Sequence, residues 1–140
     1  MINSKTDNKF TILQPKNWLA PKGYANGVVA EGRQVFIAGQ IGWKADATFV
    51  SDDFVVQVEQ ALSNIVAVLA EAGGGPQHIT RMTWYLTDKT EYMARQREVG
   101  EAYRRVLGRH FPAMTAVVVA GLIEDGAKVE IEAAAVLPPG

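Results

Sequence analysis

The chain has 140 residues, 48% of them hydrophobic and 21% charged, with a net charge of −1. That is the composition of one ordinary globular domain, long enough to bury a core without staples, and it supplies no global attraction toward nucleic acid or an anionic membrane. It contains no cysteine, which excludes disulfides, thiolate nucleophiles and cysteine-ligated zinc.

Residues 1–9 are polar, lack the apolar core of a signal peptide, and are expected to form a flexible tail ahead of a single domain at 10–140. Residues 10–13 are β-prone and are stopped by Pro15. Residues 28–30 and 34–40 suggest two strands about the turn Glu31-Gly32-Arg33, a hairpin signal. The second of them holds the nearly continuous apolar run Val35-Phe36-Ile37-Ala38, which suggests a central position in a sheet. Ser51-Asp52-Asp53 supplies oxygen caps and acidic charge for a helix starting at Phe54. Val55, Val58, Leu62, Ile65 and Leu69 then form its apolar stripe, and Gly73-Gly74-Gly75-Pro76 terminates it. Residues 79–86 read as a strand. A second helix is expected from Thr87, Asp88 or Thr90 to Gly108, with Tyr92, Val99, Tyr103, Val106 and Leu107 facing inward. Two strand-like runs follow, 113–123 and 128–136, expected to form a C-terminal hairpin about Glu124-Asp125-Gly126. The order β-β-β-α-β-α-β-β predicts an α+β fold, a mixed sheet with two helices packed on one face. The longest apolar run, 116–123, is too short to cross a bilayer, so a cytoplasmic location and no membrane contact are expected.

Few constellations carry chemistry. Glu130 and Glu132 lie two apart and share a strand face, roughly 7 Å from each other, with Lys128 on the same face. One reading is a solvated, salt-bridged strand. The other is that one carboxylate lines a cleft and handles a water or a proton, with burial raising its pKa. Gly39-Gln40-Ile41-Gly42 follows an apolar strand but lacks the Lys-Ser/Thr and the helix of a phosphate loop; a strand-end glycine permits close backbone approach. Arg95, Arg97, Arg104, Arg105 and Arg109 make the second helix basic. Glu91 and Glu101 sit at four-residue spacing to neutralise it, which argues against a nucleic-acid surface. His78 and His110 have no metal-ligand spacing, no nucleophile elbow is present, and neither a metal nor another cofactor is expected.

Gly23-Tyr24-Ala25-Asn26-Gly27, Ala38-Gly39-Gln40-Ile41, Phe111-Pro112-Ala113 and Lys128-Val129-Glu130-Ile131-Glu132-Ala133 occur in the order seen in the Rid family (YjgF, reactive intermediate deaminases). The resemblance covers residues 20 to 137. It implies a chorismate-mutase-like fold, a homotrimer with clefts lined by two neighbouring subunits, and cofactor-free hydrolysis of a small-molecule enamine or imine to a carbonyl compound and ammonia. It assigns water positioning to Glu130 and substrate binding to Tyr24, Ala38, Gly39, Gln40 and the position of Met114. Two of those positions depart from the family's pattern. Met114 stands where an arginine grips the substrate carboxylate, and Ala38 stands where a serine precedes Gly-Gln. A thioether suits a substrate that is uncharged or aromatic at that end, unless another arginine such as Arg81 supplies the anchor. The resemblance therefore implies a deaminase of altered specificity. The alternatives are a non-catalytic binding or regulatory trimer and the endoribonuclease or translation-inhibitor activity attributed to some relatives.

Overall fold

The computed structural model describes residues 9–140, so the expected tail at 1–9 lies outside the described residues except for Lys9. The strands are β1 (Thr11–Leu13), β2 (Gly27–Val29), β3 (Arg33–Gln40), β4 (Ile79–Leu86), β5 (Ala113–Val118) and β6 (Val129–Leu137). The helices are α1 (Phe54–Glu71), α2 (Lys89–Ala94) and α3 (Gln96–Leu107), with a 3-10 turn at Pro76–His78.

α1 begins as its sequence requires. The Asp53 carboxylate accepts from the Val56 N–H at 3.1 Å, satisfying one of the free donors of the first turn. The helix ends at Ala72, and Gly73 follows with φ +83°. Val58, Leu62, Ile65 and Leu69 are fully buried, each such side chain contributing roughly 1.5–3 kcal/mol by leaving water. By length and composition α1 could cross a membrane, but its apolar stripe is built into the core against the sheet.

The helix expected up to Gly108 is two helices. α2 is capped by Asp88, which accepts from Glu91 N–H at 3.0 Å, and the run breaks at Arg95 (φ −116°, ψ 27°). There the guanidinium reaches Asp53 at the start of α1 at 2.7 Å and Glu98 in α3 at 2.7 Å. The break thus coincides with a tie between three helices. Val99, Tyr103 and Leu107 of α3 are buried; Tyr92 and Val106 are partly so.

The main sheet has the order β3-β6-β4-β5. β6 runs antiparallel to both β3 and β4, while β4 and β5 are parallel. The expected C-terminal hairpin does not form, because β4 lies between β5 and β6. Burial explains the arrangement: β6 buries alternate residues along its whole length and β4 does so from Met82 to Leu86, whereas β5, largely exposed, takes an edge. The hairpin expected about Gly32 is also absent. β2 pairs with β1 in a separate two-stranded ribbon, and a Cβ on Gly32 (φ +145°) would lie 1.7 Å from the Leu137 carbonyl oxygen. β3 is an edge strand rather than a central one; Ile37 is buried but Phe36, one residue earlier, is 77% exposed.

Candidate functional site

Alternation along β6 determines what its carboxylates can reach. Val129, Ile131, Ala133, Ala135 and Leu137 are buried, so Glu130 and Glu132 project from the opposite face of the sheet. Glu130 lies opposite Tyr85 and Glu132 opposite Thr83 on β4. The Tyr85 hydroxyl donates to Glu132 Oε1. That bond, with burial and the carboxylate charge behind it, holds the Tyr85 pKa above the usual phenol value. The salt bridge expected from Lys128 to these carboxylates is not made among the described residues. Glu130 keeps its carboxylate free of hydrogen bonds and ion pairs there.

What positions Glu130 is Gly39. A Cβ at residue 39 would lie 1.9 Å from Glu130 Oε2, so the missing side chain lets the carboxylate rest against the β3 backbone. Two shallow clefts meet at this point. One of about 330 Å³ takes in Gly39, Tyr85, Leu122, Glu130 and Glu132. The other, about 400 Å³, takes in Gly39, Gln40, Asn64, Ile123 and Glu130. Gln40 Nε2 donates to the Ala38 carbonyl at 3.0 Å, tying down the strand end. The strand leading to Glu130 is fixed from within the core by Gln57. Its amide donates to the carbonyls of Ser51 and Gly126, both at 3.0 Å, and accepts from the Lys128 N–H at 2.9 Å.

Tyr24 and Met114 lie elsewhere. Met114 pairs in register with buried Met82 and therefore faces the helix side, where it lines a cavity of about 530 Å³ with Tyr24. Trp84 and Ala116 line this cavity from the sheet, and Tyr103 and Phe111 from the α3–β5 side. The rings of Tyr103 and Phe111 stack at 5.3 Å and 10°, and the Tyr103 hydroxyl donates to the His110 carbonyl. Burial pushes the Tyr103 pKa up. Tyr24 is placed by its neighbours: Gly23 adopts φ +78°, and the Ala25 N–H donates to the Pro112 carbonyl at 3.0 Å.

Among the residues expected at the site, the fold brings Tyr24 to Met114, and Gly39 and Gln40 to Glu130. Within one chain the two groups stand on opposite faces of the sheet. Arg81 pairs with Ala113, out of phase with Met114, and is turned away from the Met114 cavity. The sequence reading missed Trp84 and Arg104 as cavity residues and treated Tyr103 only as core. The signal available was Gly100, a glycine inside a helical pattern four residues before Arg104. Among the described residues no cluster of three or more His, Asp or Glu side chains could hold a metal ion.

A mixed sheet with helices on one face and a strand-end glycine against a β6 glutamate defines an α+β chain of the chorismate-mutase-like, Rid type. The chain belongs to the Endoribonuclease L-PSP family, also known as the YjgF or Rid family, whose model matches residues 16–137. Protein DfrA of Myxococcus xanthus is 38% identical over 122 residues, covering 84% of this chain and 89% of that protein. The 2-iminobutanoate/2-iminopropanoate deaminase of Capra hircus is 34% identical over 117 residues, covering 83% and 81%. Among solved structures, the Rid-family protein YyfB from Yersinia pestis superposes with a TM-score of 0.81 at 27% identity, covering 91% of this chain and 98% of that one.

Proposed function

We propose that the protein hydrolyses a reactive enamine or imine to a carbonyl compound and ammonia, with a specificity different from that of the 2-imino-acid deaminases. The observation that carries this reading is the unpaired Glu130 carboxylate lying against Gly39, in a chain related to an iminobutanoate deaminase. A carboxylate so placed accepts a proton from a water molecule as its oxygen adds to the electrophilic C=N carbon. Addition to the protonated imine gives a neutral carbinolamine, and the Glu130 carboxyl then returns its proton to nitrogen. The C–N bond breaks as the hydroxyl becomes the carbonyl, and the hydroxyl proton leaves with the ammonia. The reaction needs no cofactor, because the substrate is already activated. In this reading the protein works in the cytoplasm as a homotrimer, and clefts shared by two chains unite the Glu130 face of one with the Tyr24–Met114 cavity of another.

The altered specificity follows from Met114 and Ala38. A thioether cannot form the bidentate charge-assisted bonds that an arginine gives a carboxylate. Purified protein should therefore accelerate hydrolysis of 2-iminobutyrate or 2-iminopropionate, generated in situ by an amino-acid oxidase, weakly or not at all. Efficient turnover of these acids would overturn the specificity claim. Glu130→Gln should abolish turnover of whichever imine is accepted. If Glu130→Gln leaves all cellular function intact, the second reading, a non-catalytic small-molecule-binding trimer, takes over; the loss of both the arginine and the serine motivates it. The ribonuclease activity in the family's name is not carried to this chain. Arg95, Arg97 and Arg105 are engaged by carboxylates, and a net charge of −1 supplies no general attraction for a phosphate backbone.

A further inference from the structure

The cavity on the helix side has an unusual balance of charge. Lys22 and Arg104 line it, and no carboxylate does. Both cations are exposed, and neither forms an ion pair among the described residues. Arg104 stands out on its own helix. Arg95 is held by Asp53, Glu91 and Glu98, Arg97 by Glu101, and Arg105 by Glu59. Gly100 lies one turn before Arg104, and a Cβ there would come within 3.3 Å of Arg104 Nη1. The glycine thus leaves room for the guanidinium to lie back along the helix at the cavity wall. On the floor, Trp84 is 1% exposed and its indole N–H is buried without a partner. An unsatisfied buried donor is unfavourable by roughly 1–3 kcal/mol, and this one belongs to a residue of the cavity wall. Apart from Gln96, whose amide donates to the Tyr92 carbonyl at 2.9 Å, the remaining lining is aromatic or apolar, and about 530 Å³ is within the range of small-molecule sites.

We propose that this cavity binds an organic anion with an aromatic body, its carboxylate gripped by Arg104 from α3 and its ring packed among Tyr24, Phe111 and Met114. Arg104 is then a specificity-determining binding residue, and Lys22 adds positive potential at the mouth. This deepens the deaminase reading, on which the ligand's status as a substrate rests; the binding itself does not depend on turnover. A two- or three-carbon imino acid has no ring to fill the space, which separates this class from simple 2-imino acids.

The test uses the full chain and three probes: 3-phenylpropionate, its neutral amide 3-phenylpropionamide, and propionate. Calorimetry should show the aromatic acid binding at least about ten-fold more tightly than either of the others, the scale of one charge-assisted hydrogen-bond pair. Arg104→Gln should weaken the acid by about ten-fold or more, leave the amide within about two-fold, and be partly rescued by Arg104→Lys. Arg105→Gln, on the same helix but paired with Glu59, should change neither. The Trp84 indole N–H resonance should move on addition of the acid. The inference is overturned if the acid does not bind, if the amide binds equally well, or if Arg104→Gln binds the acid as the parent does. Arg104-dependent binding with no hydrolysis of any aromatic imine would retain this site and remove the deaminase reading. Hydrolysis with a KM indifferent to Arg104→Gln would do the reverse.

Discussion

Glu130 occupies the space that a side chain on Gly39 would need, its Oε2 standing 1.9 Å from where the Cβ would be. The two residues belong to β6 and β3, so the sheet itself sets the position of the carboxylate. Gly39→Ala should fold, because the obstacle is the mobile end of an exposed-face side chain. Its midpoint in thermal unfolding should move by only a few degrees, about 1 kcal/mol or less. Hydrolytic activity should fall at least about ten-fold as Glu130 is pushed aside, a displacement effect on a proton-transfer group. An unchanged kcat/KM would separate Glu130 from the chemistry.

Gln57 is the buried polar residue whose loss should be felt most. Gln57→Leu fills a similar volume but abandons two carbonyls and the Lys128 N–H. Urea unfolding should show a loss of roughly 2–4 kcal/mol, the scale of several orphaned buried groups. Pairing in β6 should also suffer, because a one-residue slip would exchange Glu130 for a core residue.

Acid stability should depend on Arg95. Its hydrogen bonds hold the Asp53 and Glu98 carboxyls below their usual pKa values. Lowered folded-state values mean that the associated stability is present above the unfolded pKa, near 4, and is lost as pH falls through the folded values. Arg95→Gln should therefore be less stable than the parent at neutral pH and lose less on acidification below about pH 4. Thermal unfolding across that window, in low salt, measures both slopes. Parallel curves for the two proteins would contradict the assignment.

Met114→Arg should put a cation where the proposed reading places the missing carboxylate anchor. Met114 is partly buried against the core, and the replacement should destabilise the fold by about 1–2 kcal/mol. In exchange, turnover of 2-iminobutyrate should rise by about ten-fold or more, the value of a charge-assisted pair. A stable variant with no gain would show that Met114 lies away from the reacting centre.

What could be seen in the sequence was local. The α1 stripe, its Asp53 cap and its glycine terminator each act within a few residues. The same is true of the β6 alternation that puts Glu130 and Glu132 on one face. What could not be seen depends on distant partners. The break at Arg95 is tied to Asp53, 42 residues away. Both expected hairpins failed because β4 inserts beside β6, and because the chain at Gly32 meets the Leu137 carbonyl. The candidate site was half legible: the motifs named Glu130, Gly39, Tyr24 and Met114 without revealing that they divide between two faces. Arg104 and Trp84 belong to no motif, and their significance comes only from what the fold leaves unpaired around them.

The β1–β2 ribbon has a consequence for traffic into the cavity. Its two strands of three residues are mostly exposed, and the Ala25–Pro112 hydrogen bond fastens the segment that carries Tyr24. Trp84 and Tyr103, by contrast, belong to the cooperative core. Short, solvated ribbons fray at far lower free energy than core strands. Fraying of the ribbon is therefore expected to loosen the Tyr24 side of the cavity while the sheet stays intact. Amide exchange at residues 11–13 and 27–29 should then be fast in the free protein and slow when the cavity is filled, which would put the doorway at the ribbon.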